Sequence, residues 1–132
     1  MIPNPDEAVG AWWDDTGAVQ ARMAAAARNG YSPAFDLHTY VLHDVPESVL
    51  RSGPPHQREQ AEAVFHEPCR FRNWSKVPIR VIASVEDRFS PIEFQRQVAR
   101  ARLDKDVEVI AGGHLVALSQ PDELVARLPC LL

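Results

Sequence analysis

The 132-residue chain has little cysteine, no long apolar run and no excess of positive charge. Its two cysteines, Cys69 and Cys130, sit in no C-x-x-C pair. That argues against a disulfide framework and a structural zinc site, and makes a reducing cytoplasm the expected compartment. The longest apolar runs are short, such as residues 23–27, far below the ~20 residues needed to span a bilayer. Residues 1–7 carry no basic n-region and no apolar h-region, so no secretory signal is expected there. Fourteen Lys+Arg against 18 Asp+Glu leave a formal net charge of −4, the wrong sign for a nucleic-acid footprint. Neither a membrane nor a nucleic acid is therefore expected as a partner. Repeats, low-complexity tracts and long charge runs are also lacking.

What remains is an ordinary globular composition, 45% apolar and 24% charged, of a length that fits one domain. Eleven prolines are spread as punctuation. Residues 1–17 read as an entry segment broken by Pro3, Pro5, Gly10 and Gly17, with Trp12 and Trp13 as an apolar anchor. Residues 18–28 read as a helix, rich in alanine, with Val19, Met23 and Ala26 on one face and Gly30 as its stop. Residues 39–42 suggest a short strand, and residues 46–50 one helical turn. Ser52, Gly53, Pro54 and Pro55 form a breaker. A second helix is expected over 57–65, then a loop over 68–76.

From Val77 the pattern changes. Residues 77–83 are β-branched and short, and read as a strand. Ser90, Pro91 and Glu93 predict a capping box opening a helix, with Phe94, Val98 and Ala101 on its apolar face. Residues 107–110 predict a second strand, Gly112 and Gly113 a tight loop, and Ser119 and Asp122 the start of a last helix. Strand, helix, strand, helix is a βαβα unit, which requires parallel pairing.

In an open α/β sheet the loops beyond the carboxyl ends of the strands are where sites form. Here the first loop carries Glu86 and Asp87, and the second carries His114. If the two strands are neighbours, an acid and a histidine emerge side by side. A carboxylate that holds one imidazole nitrogen leaves the other free to act as a base. The plain alternative is a loop-capping Asp87 and a turn-forming His114.

The stretch from Val77 to Pro91, with its Val-Pro strand, small residue and acid ahead of a proline, resembles the acid-bearing strand and loop of the α/β-hydrolase family. Residues 109–115, followed by 118–124, resemble that family's terminal strand, histidine loop and last helix. Met1 to Gly17 and the His43-Asp44-Val45-Pro46 run are similar to the cap region of small esterase-like members. The resemblance implies a partial α/β-hydrolase fold: a short parallel sheet of two to three strands with flanking helices and a helical cap segment. Residues 1–76 would be cap and connecting loops, and 77–132 the C-terminal part of the core. It implies Asp87 as the triad acid, preferred to Glu86 for its spacing to Pro91, and His114 as the base.

The same resemblance points to what is missing. No serine carries the flanking glycines of the G-x-S-x-G nucleophile elbow. Ser84 follows a strand but lacks them, and Cys69 and Cys130 are no better placed. The oxyanion-loop H-G motif is missing too. The expectation is the C-terminal portion of a hydrolase, from a truncated or split enzyme, that acts on an ester-like small molecule only when complemented. A strand apolar on both faces also leaves an edge that a complementing polypeptide or a second copy can pair with, and a non-catalytic binding or dimerisation module is the alternative. No cofactor is expected. His38, His43 and His66 read as surface or core residues rather than metal ligands, and His43-Asp44 as a possible border of a substrate pocket.

Overall fold

A computed structural model describes residues 1–53, 59–74 and 76–128. Pro54 and Pro55 of the expected breaker, Gln57 and Arg58 of the expected second helix, Ser75 and Cys130 lie outside the described residues. In chain order the elements are α1 (Val9–Thr16), α2 (Ala18–Asn29), a π-helix (His38–Leu42), α3 (Glu47–Ser52), α4 (Ala63–His66), β1 (Val81–Ser84), α5 (Ile92–Leu103), β2 (Val107–Ile110), α6 (Val116–Ser119) and α7 (Pro121–Arg127). The chain is a mixed α/β structure around a short two-stranded parallel sheet.

The entry segment is more helical than its prolines and glycines predict. Both prolines precede α1, and Gly10 is tolerated inside it. Gly17 turns left-handed at φ 69° and separates α1 from α2. A side chain there would be strained, so the glycine sets the corner. The helix is held by a distant partner rather than by propensity. Trp12 is buried and packs edge-to-face on Phe94 of α5 at 5.9 Å, and its indole N–H donates to the Ile2 carbonyl at 3.0 Å. Trp12, Ala18, Phe94 and Val98 form one hydrophobic cluster, flanked by Ile2, Trp13 and Ala21. The described parts of 1–76 and 77–132 therefore share a core.

The two strands pair in register Val81↔Val107 to Ser84↔Ile110, with α5 as the crossover between them. β1 is shorter than the 77–83 pattern predicts because its partner offers only four residues to pair with. The outer edge of β2 is partly covered: the Arg127 guanidinium of α7 donates to the Val109 carbonyl at 3.0 Å. Among the described residues no strand pairs with the outer edge of β1.

Several local expectations fail: Met23 and Ala101, expected on apolar helix faces, are exposed, and other segments take a different form. Residues 39–42 are not a strand but part of the π-helix, anchored by the fully buried Tyr40, whose hydroxyl donates to the Ser32 carbonyl. The capping box before α5 does not form, because the Ser90 N–H is already taken by Asp87 and the helix begins at Ile92 behind Pro91. The last helix starts at Pro121 rather than at Ser119, which ends the short α6. The second helix is confined to Ala63–His66 among the described residues. No helix among those residues is long and apolar enough to cross a membrane.

Candidate functional site

Both strands end at the same edge, so the loops after Ser84 and Ile110 leave side by side. The Val85 N–H donates to the Ile110 carbonyl and the Glu86 N–H to the Gly112 carbonyl, each at 3.0 Å. These two bonds carry the ladder past the strands and align the loops.

Asp87 then turns inward. It is 8% exposed. Its Oδ1 accepts the Phe89 and Ser90 N–H groups at 2.9 and 2.8 Å, the side-chain-to-backbone pattern by which aspartate shapes turns. Its Oδ2 faces the second loop and lies 3.0 Å from Nδ1 of His114, with the Gln95 amide donating from 3.3 Å. An ionised carboxylate only accepts, so the proton of this bond sits on Nδ1. A neutral His114 then has its lone pair on Nε2, and no described group hydrogen-bonds to that atom. The ring is 31% exposed and lies edge-on to Phe89 at 4.9 Å.

The structure thus brings Asp87 and His114 together. Glu86, the competing acid, is exposed and contributes only backbone groups. Ser84 and His114 border the same cleft of about 320 Å³, which runs along β1 past Ile82, Trp12 and Phe94. The Ser84 hydroxyl makes no hydrogen bond to His114, nor does that of any other described serine. His38 and His43 are not gathered with His66, which ends α4 and lies 3.8 Å from Glu62. Among the described residues no three His, Cys, Asp or Glu side chains cluster as metal ligands would.

Three contributions were not apparent from the sequence. Gln95 braces the Asp87 carboxylate while also donating to the Ser90 carbonyl at 2.6 Å. Phe89 packs against Trp13, Phe35 and the Arg22 guanidinium besides His114. Asp44 accepts the Gly113 N–H through Oδ2. Burial works to raise the Asp44 carboxyl, but the neighbouring Ser119 hydroxyl and the Gly113 N–H outweigh it and hold the group below the ordinary aspartate range. Ser119 Oγ and Asp44 Oδ1 lie inside the protein without completing a well-aligned hydrogen bond. His43 borders a second cleft of about 660 Å³, with Arg28, Tyr31 and Arg88.

The glycine pair before His114 has a steric role. Gly112 has φ 108°, a conformation that side chains rarely adopt. A Cβ on Gly113 would stand 2.5 Å from Asp44 Oδ1 and 2.8 Å from His43 Nε2. Gly113→Ala is therefore expected to destabilise the chain by ~1–3 kcal/mol, the usual cost of overpacking. Urea unfolding checks this, and an unchanged midpoint would remove the steric account.

No family model, no curated protein and no solved structure matches this chain.

Proposed function

We propose that this chain carries the acid–histidine pair of an α/β-hydrolase-type triad, acting on an ester or related carbonyl compound once a serine-bearing segment completes the site. The observation that carries this reading is the 3.0 Å bond from His114 Nδ1 to the buried Asp87, with His114 beside a cleft and no described group bonded to its Nε2. In that arrangement Nε2 takes the serine proton as the serine oxygen attacks the carbonyl carbon, and the imidazolium returns it to the departing alkoxide. A water then follows the same route to release the acid. Asp87 keeps its charge throughout and stabilises the imidazolium. The order acid loop then histidine loop, each beyond a parallel strand, supports the hydrolase resemblance of residues 77–132. Among the described residues Cys69 is a free thiol, in keeping with a reducing compartment.

The outer edge of β1, which no described strand pairs with, favours one alternative, a non-catalytic binding or dimerisation module. The two readings part in a single experiment. The isolated chain is expected to hydrolyse p-nitrophenyl acetate no faster than buffer, since general-base help of ~10²–10⁴-fold needs a positioned nucleophile to receive it. Adding a polypeptide with the G-x-S-x-G strand–helix half of a hydrolase is expected to produce turnover. A dimer that stays inactive with that half favours the binding module. Turnover by the isolated chain that depends on His114 would mean an internal nucleophile, with Ser84 the first to replace.

A further inference from the structure

His43 and Asp44 leave the C-terminal end of the π-helix and reach both loops of the site. His43 Nε2 lies 3.1 Å from the Glu86 carbonyl. A carbonyl only accepts, so the proton of that bond is on the imidazole. Asp44 Oδ2 accepts the Gly113 N–H. Glu86 immediately precedes Asp87, and Gly113 immediately precedes His114. Two consecutive side chains therefore grip the backbone one residue before each member of the pair.

The fit is tight as well as hydrogen-bonded. The space where a Cβ of residue 113 would stand is occupied by the Asp44 carboxyl and the His43 ring. The backbone bonds between the loops stop at Gly112. Past that point the peptide that delivers His114 is held through its Gly113 N–H by Asp44.

We infer that the His43-Asp44 pair is a clasp that positions Asp87 and His114 against each other. The positioning is a matter of geometry, and only its catalytic consequence rests on the hydrolase reading. Removing the Asp44 acceptor frees the 113–114 peptide. His114 can then swing off Asp87, and nothing selects the Nδ1-protonated ring. In a completed enzyme that looseness is expected to lower kcat by ~10²-fold, as small misplacements of reacting groups do, with KM little changed.

The test is nitrogen-15 histidine NMR on the isolated chain, together with hydrogen exchange of the Gly113 amide. His114 is expected as a single Nδ1-protonated tautomer with a protected Gly113 amide. In Asp44→Ala the ring should revert to the tautomer mixture of an unrestrained imidazole, and the amide should exchange freely. Asp44→Asn keeps an oxygen acceptor and should retain both signatures. A folded Asp44→Ala chain with an unchanged tautomer and amide overturns the inference, and so does an equal loss in Asp44→Asn. If Asp44→Ala does not fold, His43→Ala carries the test from the Glu86 side, with His43→Gln as the variant that keeps a donor. A held tautomer in a completed but inactive assembly removes the hydrolase reading and leaves the clasp standing.

Discussion

On the proposed hydrolase reading, His114→Ala in the completed assembly is expected to lower ester turnover by ~10⁴-fold, the upper range of general-base help. Asp87→Asn is expected to cost ~10³–10⁴-fold, because the amide no longer selects the Nδ1–H tautomer and no longer offsets the imidazolium charge. The replaced carboxylate accepts from Phe89, Ser90, Gln95 and His114. Asparagine keeps one oxygen for the Phe89 and Ser90 N–H groups, so the turn should persist while the histidine contact becomes donor against donor. Glu86→Gln is the control: its side chain is exposed and its structural bonds are made by the backbone, so activity should stay within about twofold of the parent by the usual mildness of surface changes. Steady-state kinetics on the three variants decide the matter. Equal losses in Glu86→Gln and Asp87→Asn would mean that the acid has been misassigned.

The largest expected effect on stability lies away from the site. Glu7 in the entry segment meets Arg102 near the end of α5 through two bonds of 2.9 and 3.0 Å, with side chains 7% and 12% exposed. The same carboxylate accepts the Asn4 N–H at 2.8 Å. Around it, Asp6 and Glu7 exchange backbone bonds with Cys69. Glu7→Ala strands a guanidinium in a nearly water-free place, which is expected to cost ~3–5 kcal/mol. Against a total stability of ~5–15 kcal/mol that is a large share. The double variant Glu7→Leu/Arg102→Met removes both charges and should recover most of the loss, because a well-packed apolar pair often equals a buried ion pair. Urea midpoints at constant slope give the comparison. A Glu7→Ala midpoint equal to the parent's would show that water reaches Arg102 freely.

Much of the fold was legible in the sequence where the cause is local. The helix over 18–29 follows from alanine content and two glycines that stop the chain on either side. β2 follows from a β-branched run between Asp106 and the glycine pair 112–113, and the α5 face in part from Phe94 and Val98, with Ala99 buried in place of the expected Ala101. The order of acid loop and histidine loop could also be read, because chain order and strand ends are properties of the sequence. Two parallel neighbours then bring those loops to one edge.

What the sequence could not supply are the choices made by distant partners. Helix α1 stands although the entry segment reads as broken, because Trp12 is buried against Phe94, 82 residues further on. Residues 39–42 have strand-like composition, yet Tyr40 is buried in an aromatic cluster with Tyr31 and Phe35, and the segment coils instead. Ser90 has the chemistry of a helix cap, yet its N–H belongs to Asp87, so the box is spent before the helix starts. The choice of Asp87 over Glu86 had a spacing argument, but which carboxylate points inward was decided by the turn after β1 and the ring waiting across the edge. His43 and Asp44 read from the sequence only as a border of a substrate pocket and not as a clasp, since their partners are backbone groups 43 and 69 residues away. By itself the sequence determined the locally driven elements and the order of the Asp87 and His114 loops, whose causes act within a turn or two of chain. Only the tertiary structure decided which polar groups found each other, because a hydrogen bond depends on where the backbone has already been packed.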